Sequence, residues 1–206
     1  MRRIYHYLLV LTAFGLILTP SGLAQQSSDH KAQAVASAAP TSGFRAEFLE
    51  GIAYYEQRYT RLAEAMPAEK YTWRPGEGVR SVGEVFTHII GANYASPGPW
   101  GPRRPAAWIS KPSALFPTTS PRVQALKDSF AHLRGAALAL NDGDADKPQK
   151  MFGRQSTLRG SFTMIIGHFG EHLGQPIAYA RMNGIVPPWT EEAQQQQPKP
   201  ADKPKP

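Results

Sequence analysis

The chain has 206 residues, six histidines, no cysteine and a formal net charge of +7. That length suits one sizeable domain, and the missing cysteines exclude a disulfide-stapled module, a lipoprotein anchor and any thiol nucleophile or thiolate ligand of its own. The charge does not point to nucleic acid: Arg2 and Arg3 open the chain, KPADKPKP closes it, and no basic stripe interleaved with aromatics lies between.

In chain order, MRR is followed by an apolar run from Tyr7 to Leu18 and then by TPSGLA, with Gly22 and Ala24 at small-residue positions. This pattern predicts a secretory signal peptide over 1–24, cut after Ala24. The apolar run is shorter than the roughly 20 residues of a spanning helix. The expected product is exported, periplasmic or secreted, and keeps no stable membrane anchor. Residues 25–42 are small and polar and predict a flexible leader.

The domain is expected over 43–190. A first helix runs from Phe44 to Met66, with Phe48, Ile52, Tyr55, Tyr59 and Leu62 at helical spacing and Pro67 as its stop. A second begins at Ser81, where Glu84 completes a capping box, and carries Val82, Val85, Phe86, Ile89 and Ile90. A third starts at Ser120–Pro121, carries Val123, Leu126, Phe130, Leu133, Ala137 and Leu140, and stops at Asn141–Asp142–Gly143. A fourth runs from about Ser161 to Asn183, closed by Gly184 and Pro187–Pro188. Two long loops, from Asn93 to Thr119 and from Asp144 to Arg159, complete the connections, and no segment alternates like a strand. The expectation is an all-α, up-and-down four-helix bundle. From 191 onward the Gln-, Pro- and Lys-rich tail has nothing to bury and predicts disorder.

The fourth helix carries HFGEHLGQ, which sets His168 and His172 four residues apart. Four helical residues advance about 400°, so the two imidazoles lie about 40° apart on one face and can converge on one divalent ion. Gln175 and Tyr179 continue that stripe, Ile166, Phe169, Leu173 and Ile177 form an apolar face, and Thr163, Gly167, Gly170 and Gly174 a small one. This pattern predicts a helix embedded among neighbours. A pair alone is equally compatible with two ordinary hydrogen-bonded histidines, and it does not complete a tetrahedral site.

His88, at the edge of the second helix's apolar face, is the candidate third ligand, although a lone histidine there also fits a core position. His132 falls opposite Phe130 and Leu133 and is expected to face water, while His6 and His30 precede the domain. HFGEH also matches H-x-x-E-H, a metalloprotease signature. That reading needs an acidic ligand well downstream, and the acidic residues after His172 sit only in the tail.

The order of MPAEKYTWRP (66–75), RSVGEVFTHI with His88, HFGEHLGQ, and YARMNGIVPP resembles the DinB-like superfamily, which includes bacillithiol S-transferase and mycothiol-dependent isomerase relatives. The resemblance spans roughly 44–190. It implies a four-helix bundle whose divalent metal is held by one histidine of the second helix and two of the fourth, positions that match His88, His168 and His172. With it comes the expectation of a metal-dependent enzyme, zinc or nickel being the first choices, acting on a small electrophilic substrate with water or a low-molecular-weight thiol. Glu84, Glu171 and Gln175 are the candidates to orient ligand N–H groups or water beside the ion. The alternative is a bundle with a structural or vestigial metal, and pairing of an exposed helix face would make it a homodimer.

Two features depart from the family pattern. Pro176 removes a hydrogen bond inside the fourth helix and is expected to bend it just past His172. Export would separate the protein from bacillithiol and mycothiol, which are cytoplasmic cofactors.

Overall fold

The computed structural model describes residues 39–104 and 119–197. The expected signal peptide, most of the leader, the middle of the 93–119 loop and the end of the tail lie outside the described residues. Among the described residues, four long helices carry the fold: α1 (Gly43–Ala65), α2 (Val82–Ala95), α3 (Thr119–Leu138) and α4 (Leu158–Met182). A short α5 (Pro188–Gln195) follows. No helix among the described residues is long and apolar enough to cross a membrane.

The helices form because their apolar residues recur at the helical period and their ends are marked. Ser81 and Glu84 close a full capping box at the start of α2: the Ser81 N–H donates to the Glu84 carboxylate at 2.7 Å, and the Glu84 N–H donates to the Ser81 hydroxyl at 3.3 Å. α4 starts at Leu158, three residues upstream of the expected start, capped by Thr157, whose hydroxyl accepts from the Gly160 N–H at 3.1 Å. α4 continues through the buried Pro176 to Met182, and Gly184 follows in a left-handed conformation, φ 74°.

α1 packs against α3 and α4, and α2 packs against the same two helices. The chain neighbours α1 and α2 are therefore not principal partners, as they would be in a simple up-and-down bundle, but lie across a diagonal, as do α3 and α4. The connection from 66 to 81, with its 3₁₀ turn Ala68–Thr72, is long enough to make that crossing. Between the helices lies one apolar core in which Ile52, Tyr59, Leu62, Val85, Phe86, Ile89, Phe130 and Leu133 are fully buried. Each such side chain contributes about 1.5–3 kcal/mol by leaving water. The Tyr59 hydroxyl, buried in this core, donates to the Phe169 carbonyl of α4 at 2.8 Å. Gly51 lets α1 and α4 approach, since a Cβ there would stand 2.6 Å from Ile166 Cδ1.

Two segments differ from expectation. The polar stretch 144–159 contains a hairpin, β1 (Pro148–Met151) paired antiparallel with β2 (Arg154–Thr157), in which Met151 faces Arg154 across a two-residue turn. Its strands are four residues long and mostly exposed, too short and polar to show alternation. The beginning of the expected tail is the helix α5, anchored to α1 by an Arg61–Glu192 ion pair and by the Arg58 guanidinium over the Trp189 ring at 4.4 Å.

Phe130 is fully buried and meets Tyr59 and Phe169. Phe130→Ala is expected to cost about 3–5 kcal/mol in urea unfolding, whereas Arg61→Ala, which breaks a surface pair, should cost no more than about 1 kcal/mol.

Candidate metal centre

α2 and α4 meet at His88, His168 and His172. One ring nitrogen from each lies within 4.8 Å of the other two. The closest pair is His88 Nε2 and His172 Nε2 at 3.1 Å. Ring centroids stand 4.4 Å apart for His88–His172 and His168–His172, and 5.1 Å for His88–His168. His168 Nε2 is buried and has no hydrogen-bond partner, which is costly for a polar atom unless a further group completes it. Two nitrogens each about 2.0–2.1 Å from one ion, subtending about 90–110°, are about 2.9–3.4 Å apart. The 3.1 Å pair fits that edge, and the unsatisfied His168 nitrogen fits a ligand atom awaiting its ion.

The ring orientations are held by packing and by one polar partner. His172 is buried, and its Nδ1 faces Gln175 Oε1 at 3.1 Å. If Nδ1 donates there, Nε2 presents its lone pair, the form a metal needs. His88 has its pKa pushed down to about 4, first by burial and then by His172, Arg80 and His168. Burial also lowers His168, with His172 and Arg80 adding to it and Glu171 opposing it. Both stay neutral at physiological pH, which removes proton competition for the ion.

The three imidazoles line a cavity of about 540 Å³ together with Arg80, Phe152, Met164, Gly167 and Glu171. Gly167, exposed, has no side chain to obstruct it. The small face of α4 is thus not embedded as expected: Thr163, Gly167, Gly170 and Gly174 are all exposed. Arg80, Phe152 and Met164 are site residues that sequence reading missed. Arg80 directly precedes the α2 cap and has no periodic signal, and Phe152 arrives on the hairpin turn.

Of the three supporting residues expected, Gln175 touches a candidate ligand and Glu171 lines the cavity. Glu84 does neither, because its carboxylate closes the α2 cap and pairs with Arg74 at 3.3 Å. Those contacts, the Ser81 N–H first, hold its pKa below the usual carboxylate range. His132 does not face water. It is half-buried with its ring edge-on to Tyr94 at 4.9 Å, and burial lowers its pKa. The acidic ligand that H-x-x-E-H would need is absent from the group: among the described residues the cluster is three histidines.

Residues 54–175, which hold all three histidines, match the DinB superfamily. The chain belongs to this superfamily. Two solved structures of DinB-like proteins share the fold, each at 18% sequence identity, covering 68% of this chain and 93% of the other. One, from Bacillus cereus, aligns with a TM-score of 0.58; the other, YjoA from Bacillus subtilis, with 0.51. At that identity the likeness shows the fold alone. No curated protein matches the sequence.

Glu84→Ala should lower stability by about 1 kcal/mol in urea unfolding through loss of the cap and leave the metal content of the purified protein unchanged. In metal-free protein the His88 ring should titrate near pH 4 by NMR rather than at its ordinary 6.5. The folded state then binds a proton less readily than the unfolded one. Metal-free stability should therefore fall as pH drops from 6.5 towards 4; a His88 midpoint near 6.5 would contradict its burial.

Proposed function

We propose that this DinB-superfamily protein is an exported, metal-dependent enzyme in which His88, His168 and His172 hold one divalent ion, zinc or nickel. The observation that carries this reading is the convergence of three imidazole nitrogens within 4.8 Å, with the His168 Nε2 buried and unsatisfied. When bound, an ion in such a site lowers the pKa of water or a thiol, so that a nucleophile is available at neutral pH against a small electrophile.

The chain's own residues supply the rest. Gln175 fixes the His172 ring and tautomer through Nδ1. Glu171 lines the cavity beside His168 and is solvent-exposed, so its carboxylate can accept a proton and pass it to water. Phe152 and Met164 give the cavity an apolar wall that excludes part of the solvent. A non-catalytic, structural metal is the second reading, and the cavity speaks against it, because structural sites are closed by four protein ligands. The export reading rests on the MRR cluster, the Tyr7–Leu18 run and the GLA site. It favours water, or a thiol other than the cytoplasmic ones, as the nucleophile.

Elemental analysis after growth in metal-supplemented medium tests the site. One zinc or nickel per chain is expected in the wild type, and His88→Ala, His168→Ala and His172→Ala should each abolish retention through gel filtration. Gln175→Leu should weaken binding by about 10–100-fold, and His132→Ala should have no effect on it. The melting temperature should rise with added metal and fall with chelator. Retention of tight, stoichiometric metal by His88→Ala would overturn the three-histidine site. Mass spectrometry of the protein from its native host should find Gln25 at the N-terminus, and an intact Met1 would overturn export.

A further inference from the structure

The β1–β2 turn breaks a local rule. Its two central residues, Phe152 and Gly153, both have positive φ, 48° and 78°. A two-residue hairpin turn of that kind favours Asn, Asp or Gly at the first position, because a Cβ there meets the preceding backbone. Phe152 is instead a large aromatic, the one non-glycine residue with positive φ among the described residues, and it is 54% exposed. An exposed ring on a strained backbone earns nothing for the core. Strain of this sort concentrates where a side chain is being aimed at a ligand. Phe152 is aimed at the cavity: it lines the wall, and its ring stands 5.5 Å from that of His168.

Arg80 lines the same cavity. It is exposed and forms no ion pair among the described residues, unlike the neighbouring Arg74, which is paired with Glu84. A guanidinium left unpaired beside a cavity offers a fork of donors matched to a carboxylate or a similar anion. The opposite charge on that wall, Glu171, is likewise unpaired among the described residues and offsets one positive charge. Imidazoles hold a metal in their uncharged form, so any divalent ion leaves the cavity net positive.

We propose that the cavity takes a small organic anion with a flat apolar body: Arg80 holds the anionic group and Phe152 lies against the apolar part. The anion preference draws part of its force from the metal reading above, through the ion's charge, whereas the contacts with Arg80 and Phe152 do not.

Benzoate, acetate and benzyl alcohol separate the two contacts in calorimetric titrations of the whole protein, run with zinc and with chelator. Benzoate is expected to bind at least about tenfold more tightly than either acetate, which lacks the ring, or benzyl alcohol, which lacks the charge. Arg80→Gln should weaken benzoate by at least about tenfold without loss of zinc. Phe152→Asn should weaken benzoate and leave acetate unchanged. Because asparagine suits the turn, its melting temperature should equal or exceed that of the wild type, which a merely structural phenylalanine would not allow. Benzoate affinity unaltered by Arg80→Gln, or equal for benzoate and benzyl alcohol, overturns the proposal. A protein that takes up no zinc but binds benzoate through Arg80 loses the metal reading and keeps this one; one that takes up zinc but binds benzoate independently of Arg80 does the reverse.

Discussion

The site depends on the placement of two helices. His88 and His172 are 84 residues apart in sequence, and their Nε2 atoms meet at 3.1 Å. Helical geometry sets His168 and His172 relative to each other, but nothing local can bring His88 to them. That falls to the core: Val85, Phe86, Ile89 and Ile90 bury the face of α2 on one side of His88, while Phe169, Leu173 and the Tyr59 hydroxyl seat α4. A close-packed interior resists rotation of either helix, since turning one would open voids and unpair the Tyr59–Phe169 hydrogen bond. The three-histidine cluster is therefore a consequence of the same packing that makes the bundle stable.

Electrostatics complement that placement. Burial first, then the neighbouring His172 and Arg80, hold the pKa values of His88 and His168 down, so both imidazoles are presented in the form that can bind metal. The cost is a buried nitrogen, His168 Nε2, with no hydrogen-bond partner from the chain. One wall then comes from outside the bundle: the short hairpin between α3 and α4 contributes Phe152, and the stretch before α2 contributes Arg80. The helices supply the geometry of the histidine cluster, and the connections supply the rest of the cavity wall, a division common in proteins whose scaffold is rigid and whose loops vary.

Much of this was legible in the sequence. The four helices follow from apolar residues at helical spacing, and Ser81 with Glu84 marked the start of α2 correctly. The His168–His172 pair was visible from spacing alone. His88 was not decided that way, because a histidine at the edge of an apolar face reads equally well as core; the family resemblance named it and the packing of α2 on α4 brings it there. His132 looked solvent-facing on its own helix, yet Tyr94 of α2 covers it, a tertiary contact that no helical period encodes. Glu84 had two expected tasks, and the cap, only three residues away, claims the carboxylate. The hairpin was invisible because its strands are four residues long, its turn is Phe-Gly rather than Asn-Gly, and its burial does not alternate.

On the proposed reading, three histidines from two helices hold one ion. X-ray absorption at the metal edge of the purified protein, loaded with one equivalent of zinc, tests it most directly, because it counts imidazoles around the ion independently of any activity. Three imidazole nitrogens are expected at about 2.0–2.1 Å, with the remaining position filled by a non-protein light atom. A shell of two imidazoles, or one completed by a carboxylate of the chain, would contradict it.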